Sequence, residues 1–503
     1  MKFNKNFIVI ILFTFFSYSQ VPIIQWQKTY GGSNIDHADF IQQTKDGGYI
    51  VLGYTYSTDG DLAGTNGDAD CWLVKLSSTG IIEWKKRLNL QSVQLARCVI
   101  QTTDGGYIIS VLTHIDVMQS QGYYVSWIAK LSSIGNIEWQ NYLKEGGAFT
   151  DILSIIQIND GGYILAGYTS SNSGDYLVVK LTSNGIIEWK KNLGGTSKDY
   201  AYSIQETNDG GFILAGNTLS NNGDVSGNHG GSDYWIVKLT STGLIEWQKT
   251  LGGSSDDNGR KIIQTIDGGF ITIGNTLSND GDLSGNHGGF DYWIVKLTST
   301  GLIEWQKNIG GLNDEDASDI IQTIDGGYIL AGSTLSNDGD VSENHGGKDC
   351  WIVKLTINGL IEWQKTFGGS KDEGAASFIQ TNDGGYMIAT FTSSNDGDVS
   401  GNHGVYDFWI VKLSRDTLAL SLFNQNTSIT LFPNPVKDKL TIKLDTFTSN
   451  KEISITDISG KTIHIQQTEG LITNINTSSF QKGIYFLNLI NDGTKTTKKF
   501  IVK

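Results

Sequence analysis

Residues 262–308 set out a pattern of apolar and polar positions that much of the chain repeats. Ile262-Ile263-Gln264-Thr265 is a short β run ending at the Asp267-Gly268 turn, and Phe270 to Thr276 is a second strand. A polar loop spans Leu277 to Asp291, and Tyr292 to Leu297 is a third strand. Ser299-Thr300-Gly301 suits a three-residue hairpin with glycine at the left-handed position, and Leu302 to Asn308 is the fourth strand. Four antiparallel strands in succession predict one propeller blade. The hairpin register sets Lys296 opposite Glu304, a spacing that recurs in most units and reads as a cross-strand ion pair.

Three markers count the units. All 13 tryptophans sit at one of two recurring positions. Trp26, Trp84, Trp139, Trp189, Trp247, Trp305 and Trp363 occupy I-x-W-[QK] segments, and Trp72, Trp127, Trp235, Trp293, Trp351 and Trp409 open W-[IL]-[VA]-K-L. D-G-G-[YF] begins at Asp46, Asp104, Asp160, Asp209, Asp267, Asp325 and Asp383. Seven units with a period near 58 residues predict a propeller or a solenoid.

The ends of the repeat region are complementary. Ile23 to Lys28 is a fourth strand with no first strand before it, and the last unit stops at Trp409 to Leu413 without one. The N-terminal strand therefore completes the final blade and covers its edge. The predicted fold is all-β: a seven-bladed β-propeller closed by its N-terminal strand, followed by a small C-terminal antiparallel β-sandwich. The boundaries are 1–19 for an export signal, 20–415 for the propeller, 416–428 for a linker and 429–503 for the C-terminal domain.

In an up-and-down meander the D-G-G-[YF] and S-T-G turns share one face. The long loops and the connections between blades share the other. That second face collects Asp256 and Asp257, Asp314 to Asp316, and Asp372 and Glu373 with the polar loops, so it should be strongly acidic.

Charge sharpens this picture. The net charge of −15 includes +4 in residues 424–503 and +2 from Lys2 and Lys5, which leaves −21 in the repeat region. Such a field repels nucleic acid and anionic lipid and favours cations or basic partners. Lys2 and Lys5, the apolar run Phe7–Phe16 and Ser17-Tyr18-Ser19 read as a cleavable export signal. No later stretch reaches the roughly 18 apolar residues of a membrane span. Cys71 and Cys350 stand where other units carry Tyr234, Tyr292 or Phe408, and Cys98 lies in a different strand. The three therefore read as buried free thiols.

The polar loop runs from Asn222 to Gly231, Asp280 to Gly289, Asp338 to Gly347 and Asp396 to Gly404, with a looser copy from Asp59 to Asp70. Unit two replaces it and unit three lacks it, so it is decoration on the blade and a place for function. Its alternating Asp, Asn and Gly can present oxygens to Ca²⁺. The candidate ligands are Asp224, Asp280, Asp282, Asp338, Asp340, Asp396 and Asp398, joined in unit five by Asn286 or Asp291. Simple Asx and glycine turn chemistry is the competing reading. His229, His287, His345 and His403 lie one per blade, too far apart for one metal site.

T-x-D-G-G-[YF], as in Thr265 to Phe270, partly resembles the Asp-box of sialidase-type propellers, a hairpin clip that informs fold alone. The repeat region has only Arg87, Arg97, Arg260 and Arg415, read here as unrelated repeat positions, which disfavours a sialidase. No nucleophile elbow, zincin helix or phosphate loop is present in the sequence. Carboxylate pairs for glycoside hydrolysis stay open in so acidic a chain.

Beyond Ser428 the repeat is gone. Leu431-Phe432-Pro433-Asn434-Pro435-Val436, Ile455 to Lys461 with Gly460, Gly483-Ile484-Tyr485-Phe486-Leu487 and the terminal Lys498 to Lys503 follow in order. These motifs resemble the type A C-terminal sorting domain of the type IX secretion system of certain Gram-negative bacteria, over about 80 residues. The resemblance implies Sec export, outer-membrane translocation read from this domain, and surface attachment or release. Pro433, Asn434, Pro435, Gly460, Gly483 and Tyr485 carry it. The repeats look, more loosely, like those of secreted propeller proteins of such bacteria. The expected function is a secreted or surface-displayed binding propeller with a glycan or protein ligand on its acidic face. The alternative is a polysaccharide-degrading hydrolase or lyase with its site at the propeller mouth near units two and three.

Overall fold

The computed structural model describes residues 21–62, 69–88, 90, 93–117, 120–171, 174–374, 376–416, 429–444, 451–457, 461–468, 470–491 and 494–503. The expected export signal, the linker after Asp416 and Gly460 lie outside them. Contacts divide the chain into Val21–Arg415 and a second unit from Asp416 onward. The described residues contain strands, one short 3₁₀ turn and no α-helix. None of their helices is long and apolar enough to cross a membrane.

Val21–Arg415 folds as seven four-stranded antiparallel sheets, a propeller-like all-β arrangement. Six sheets take four consecutive strands each, as Asp257–Gln264, Phe270–Thr276, Asp291–Leu297 and Ile303–Ile309 do in unit five. The seventh takes Ser377–Gln380, Tyr386–Thr392 and Asp407–Leu413 and borrows Ile24–Tyr30 as its fourth strand, with Thr29 opposite Trp409. Trp26 covers Gly80 of the first unit as Trp84 covers Gly135 of the second.

Strands two and three are buried on both faces because each sheet packs against two neighbours. Trp235 and Val237 share a core with the third sheet, whereas Tyr234 and Ile236 pack with the fifth. Every consecutive pair of sheets shares such a core. The last and first do so as well, through Phe408, Ile410, Ala38 and Val51. The D-G-G-[YF] turns add a second stitch: Asn208 N–H donates to Gln264 Oε1 at 2.9 Å, and Asn382 N–H to Gln43 Oε1 at 2.8 Å.

The motif acids hold these turns together. Asp267 Oδ1 accepts from Gly269 N–H at 2.9 Å and from the Thr265 hydroxyl. Lys296, 3% exposed, reaches Glu304 at 2.8 Å and Asp267 at 3.0 Å, so the expected cross-strand pair becomes a three-membered clasp. In the equivalent turn, burial alone pushes the Asp209 carboxyl up. Bonds from Thr207, Gly211 N–H and Lys238 outweigh it and hold the group at about 2.

The cysteines are free and buried, and the packing explains them. A side chain on Gly274 would strike the Tyr234 hydroxyl at 2.7 Å and the Asn258 carbonyl. Where the preceding sheet carries Cys71 or Cys350 in place of tyrosine, the facing residue is Val111 or Thr390. The small thiol makes the room that the larger neighbour fills. Gly274→Val should therefore cost about 3 kcal/mol by overpacking. Adding Tyr234→Cys should recover part of it, which urea titration of both variants measures.

Two expectations need correction. The first strand begins at Asp257, earlier than Ile262. Asp257 and Glu315 open their first strands and Glu373 makes an isolated bridge with Thr392; all three are fully buried and do not contribute to the acidic surface. Asp257 accepts from Gly253 N–H at 2.7 Å, from the Ser278 hydroxyl at 2.8 Å and from Thr276. These partners replace the water that an acid at a strand end would otherwise need.

The second unit holds a three-stranded sheet (Ile429–Phe432, Lys439–Leu444, Ile472–Asn476) and a four-stranded one (Lys451–Asp457, Thr462–Thr468, Gly483–Asn491, Thr494–Val502). Leu440, Ile442 and Ile475 of the first share one core with Ile455, Leu487 and Phe500 of the second.

Candidate functional site

Each loop acid that sequence singled out binds backbone. Asp280, Asp338 and Asp396 accept from the N–H groups of Ser254, Leu312 and Ser370 at 2.7, 2.8 and 2.8 Å. Asp224, Asp282, Asp340 and Asp398 face the N–H groups of Gly194, Gly252, Gly310 and Gly368 at 3.2, 3.3, 3.4 and 3.3 Å. The pairs sit one per sheet, and the described residues hold no group of three or more His, Cys, Asp or Glu arranged for a metal. In unit five, Asn286 Nδ2 donates to the Thr276 and Gly289 carbonyls at 3.0 Å each. Asp291 is buried with its Oδ2 on His287 Nδ1 at 2.7 Å.

Unit four shows what these acids need for that role. Asn222 stands at the Asp280 position and accepts from Thr196 N–H at 2.9 Å. The cap requires an oxygen and no charge. Asp280→Asn should leave stability unchanged, and Asp280→Ala should lower it measurably for want of an acceptor. Chemical denaturation of both variants checks this.

The sequence reading missed a different group of residues. Each first strand in sheets one to six carries a β-bulge, between Ala38 and Phe40 in the first and Gly259 and Lys261 in the fifth. A bulge re-aims its extra residue. Here that residue is Asp39, Arg97, Leu153, Tyr202, Arg260 and Ser318 in turn. Arg97 and Arg260 therefore occupy the same repeat position, which corrects the expectation that the arginines are unrelated. The surrounding scaffold hardly changes between units, so the variation stands out once the register is known.

These residues and the second residue of each first strand line the long-loop end of the channel between the sheets. His37 stacks on Tyr54 with ring centres 5.3 Å apart at 7° and lies 4.7 Å from Phe391 of the last sheet. Arg97 Nε donates to both Asp151 oxygens at 2.9 and 3.1 Å. Asp151 is fully buried; burial pushes its carboxyl up, and Arg97 and the Tyr168 hydroxyl oppose that shift. Tyr168 meets Tyr200 edge to face at 4.5 Å. Arg260 lies 4.9 Å over the Tyr202 ring.

Amides continue the belt. Asn217 Nδ2 donates to Asn258 Oδ1, and Asn275 Nδ2 to Asp316 Oδ1, both at 2.7 Å. Deeper in the channel a cavity of about 490 Å³ is bounded by Phe40, Ile263, Ile321 and Ile379 with Gln42 and Gln264. Polar, aromatic walls thus give way to apolar ones.

In the second unit, Asn434 Oδ1 accepts from Ile501 N–H at 3.0 Å, which ties Pro433-Asn434-Pro435 to the last strand. Tyr485 donates its hydroxyl to the Gln481 carbonyl at 2.8 Å and stacks 5.7 Å from Phe500. Gly483 opens the strand Gly483–Asn491 beside a cavity of about 470 Å³ that Asp457, Phe480 and Tyr485 also line.

Comparison with known proteins adds the following. No curated protein matches the chain. A surface component of the type IX secretion system of Porphyromonas gingivalis is similar at 11% identity and TM-score 0.35, over 91% of this chain and 69% of its own. Sqt1 of Chaetomium thermophilum gives 10% and 0.41, over 78% and 100%. An apocarotenoid oxygenase of Synechocystis gives 12% and 0.40, over 77% and 95%. Likenesses this loose carry no argument about activity. Residues 430–503 match the secretion system C-terminal sorting domain. The C-terminal unit is thus a sorting domain of the type IX secretion system, which sends the chain to that machinery and on to the cell surface or the extracellular space.

Proposed function

We propose that residues 20–415 form a closed seven-bladed propeller, exported with the help of a signal at 1–19 and joined to its sorting domain by a linker at 416–428. Its function is non-enzymatic binding or adhesion, with the ligand at the long-loop mouth. The carrying observation is the set of first-strand bulge residues, Asp39, Arg97, Leu153, Tyr202, Arg260 and Ser318, that differ within a repeated scaffold. Packing alone gives no reason for a residue beside the channel to change in chemical kind from sheet to sheet. The borrowed strand Ile24–Tyr30 and the core shared by last and first sheets support closure.

Screening the secreted protein against polysaccharides, scoring retention and new reducing ends together, tests this reading. Retention without turnover supports it, and turnover replaces it with a polysaccharide-degrading enzyme. Calcium on the loop acids belongs to the same reading, since each carboxylate has an oxygen beyond its backbone bond. Calorimetry with several millimolar Ca²⁺ checks that part, and absence of heat reduces these acids to caps. Removal of residues 424–503 should leave a folded propeller in the periplasm, seen by fractionation; normal surface delivery would overturn the sorting role here.

A further inference from the structure

The charges of the channel mouth cancel locally. Asp151 is matched by Arg97, Asp319 by Lys261 at 3.6 Å, and Asp316 by Arg260 at 3.9 Å. This contrasts with the repeat region around it, at −21 from the −15 of the whole chain less +4 and +2 at its ends. An anionic ligand is repelled before it arrives. A cationic one is attracted, yet at the mouth it finds carboxylates already paired and would have to displace arginine or lysine to use them. Neither kind of ion suits the wall.

An uncharged ligand with many hydroxyl groups suits it well. The Arg97 guanidinium on Asp151 and the Asn275 amide on Asp316 are planar groups held in place by hydrogen bonds, and the mouth keeps further lone pairs and N–H groups for adjacent hydroxyls. The half-buried rings of Tyr168, Tyr200 and Tyr202 supply apolar surface for C–H faces. The apolar cavity of about 490 Å³ beyond them is within the size range of small-ligand pockets. Because the sheets do not repeat one residue at this position, the mouth recognises one ligand end in one orientation, not a sevenfold object.

We propose that the mouth binds the end of a neutral glycan chain, gripped by Arg260, Asp316 and the Asn258–Asn275 amides against the Tyr168–Tyr202 rings. This rests on the binding reading above and narrows it to one ligand class. The full-length secreted protein is titrated calorimetrically with neutral hexaoses of β-glucan, mannan and xylan, beside oligogalacturonate (anionic) and chitosan (cationic) hexamers.

A neutral hexaose should bind. Tyr200→Ala and Asp316→Asn should each weaken it at least about tenfold, on the scale of losing one good contact. A salt concentration of 0.5 M NaCl should alter affinity by less than about twofold, since no net charge is neutralised. Asp316 is 48% exposed, so its replacement by asparagine does not threaten folding. Binding of only a charged hexamer, of no hexamer, or of a neutral one indifferent to both mouth substitutions overturns the inference. A protein partner held at the mouth without sugar uptake would overturn it too, while leaving the binding propeller intact.

Discussion

Removal of Val21–Tyr30 should lower the stability of the repeat region by on the order of 5 kcal/mol or more, because whole aromatic side chains leave a packed core. Tyr30 belongs to the core that joins the last and first sheets, and Trp26 packs against it. Gln27 Oε1 accepts from Trp409 Nε1 at 2.9 Å, a bond that Gln248 provides to Trp235 within the fourth sheet. Without the strand, Asp407–Leu413 becomes an open edge with four consecutive large apolar residues, Phe408 to Val411, which templates pairing between molecules. Thermal melts and light scattering of the truncated and full-length proteins measure both effects. A truncated protein that melted like the full-length one and stayed monodisperse would remove the N-terminal strand from its proposed role in closing the ring.

The pairing of the N-terminal strand with the last sheet was legible in the sequence because hydrophobic repeats report burial, and the missing fourth strand at one end matched the surplus strand at the other. The acids were harder to read. Asp256 and Asp257 are neighbours in the chain, yet Asp257 is fully buried as the first residue of a strand. Period-two alternation fails at that strand because the bulge after Gly259 shifts the register, and residues beyond it exchange faces. The same shift concealed Arg97 and Arg260. Counting from the D-G-G-[YF] turn in each unit would have found both, since each stands seven residues before its marker Asp. What sequence alone did not supply was a reason to look there. Only packing shows that this position faces the channel while its neighbours face other sheets.

The buried acids lead to a pH dependence opposite in sign to that of the clasped turns. Asp233 and Asp257 flank Gly252, where an added Cβ would meet their carboxylate oxygens at 2.6 and 2.8 Å. Asp291 with Glu315, Asp349 with Glu373, and Asp407 with Asp36 flank Gly310, Gly368 and Gly31 in the same way. Burial raises the carboxyl pKa of all eight, and of Asp199. Hydroxyls, backbone N–H groups and loop histidines only partly offset it. The folded state therefore holds protons that the unfolded chain releases above about pH 4, and stability falls as pH rises through that window. Asp46, Asp104 and Asp209, held at about 2, act the other way: their contribution is present above the unfolded carboxylate range and is lost as pH falls towards 2.

Stability should thus peak near about pH 4–5 and decline on both sides. The melting temperature at pH 5 should exceed that at pH 8 by about 5 °C or more at equal ionic strength, given how many carboxyls act together. Asp233→Asn keeps an acceptor for His229 N–H and removes one charge from the pair. It should raise the melting temperature at pH 8, where the native carboxylates are driven to ionise side by side, and change it little at pH 5. Scanning calorimetry of both proteins at the two pH values decides the matter. Equal or higher stability at pH 8, with no gain from the asparagine, would mean that these acids are ionised in the fold without cost and that their histidine and hydroxyl partners fully compensate burial.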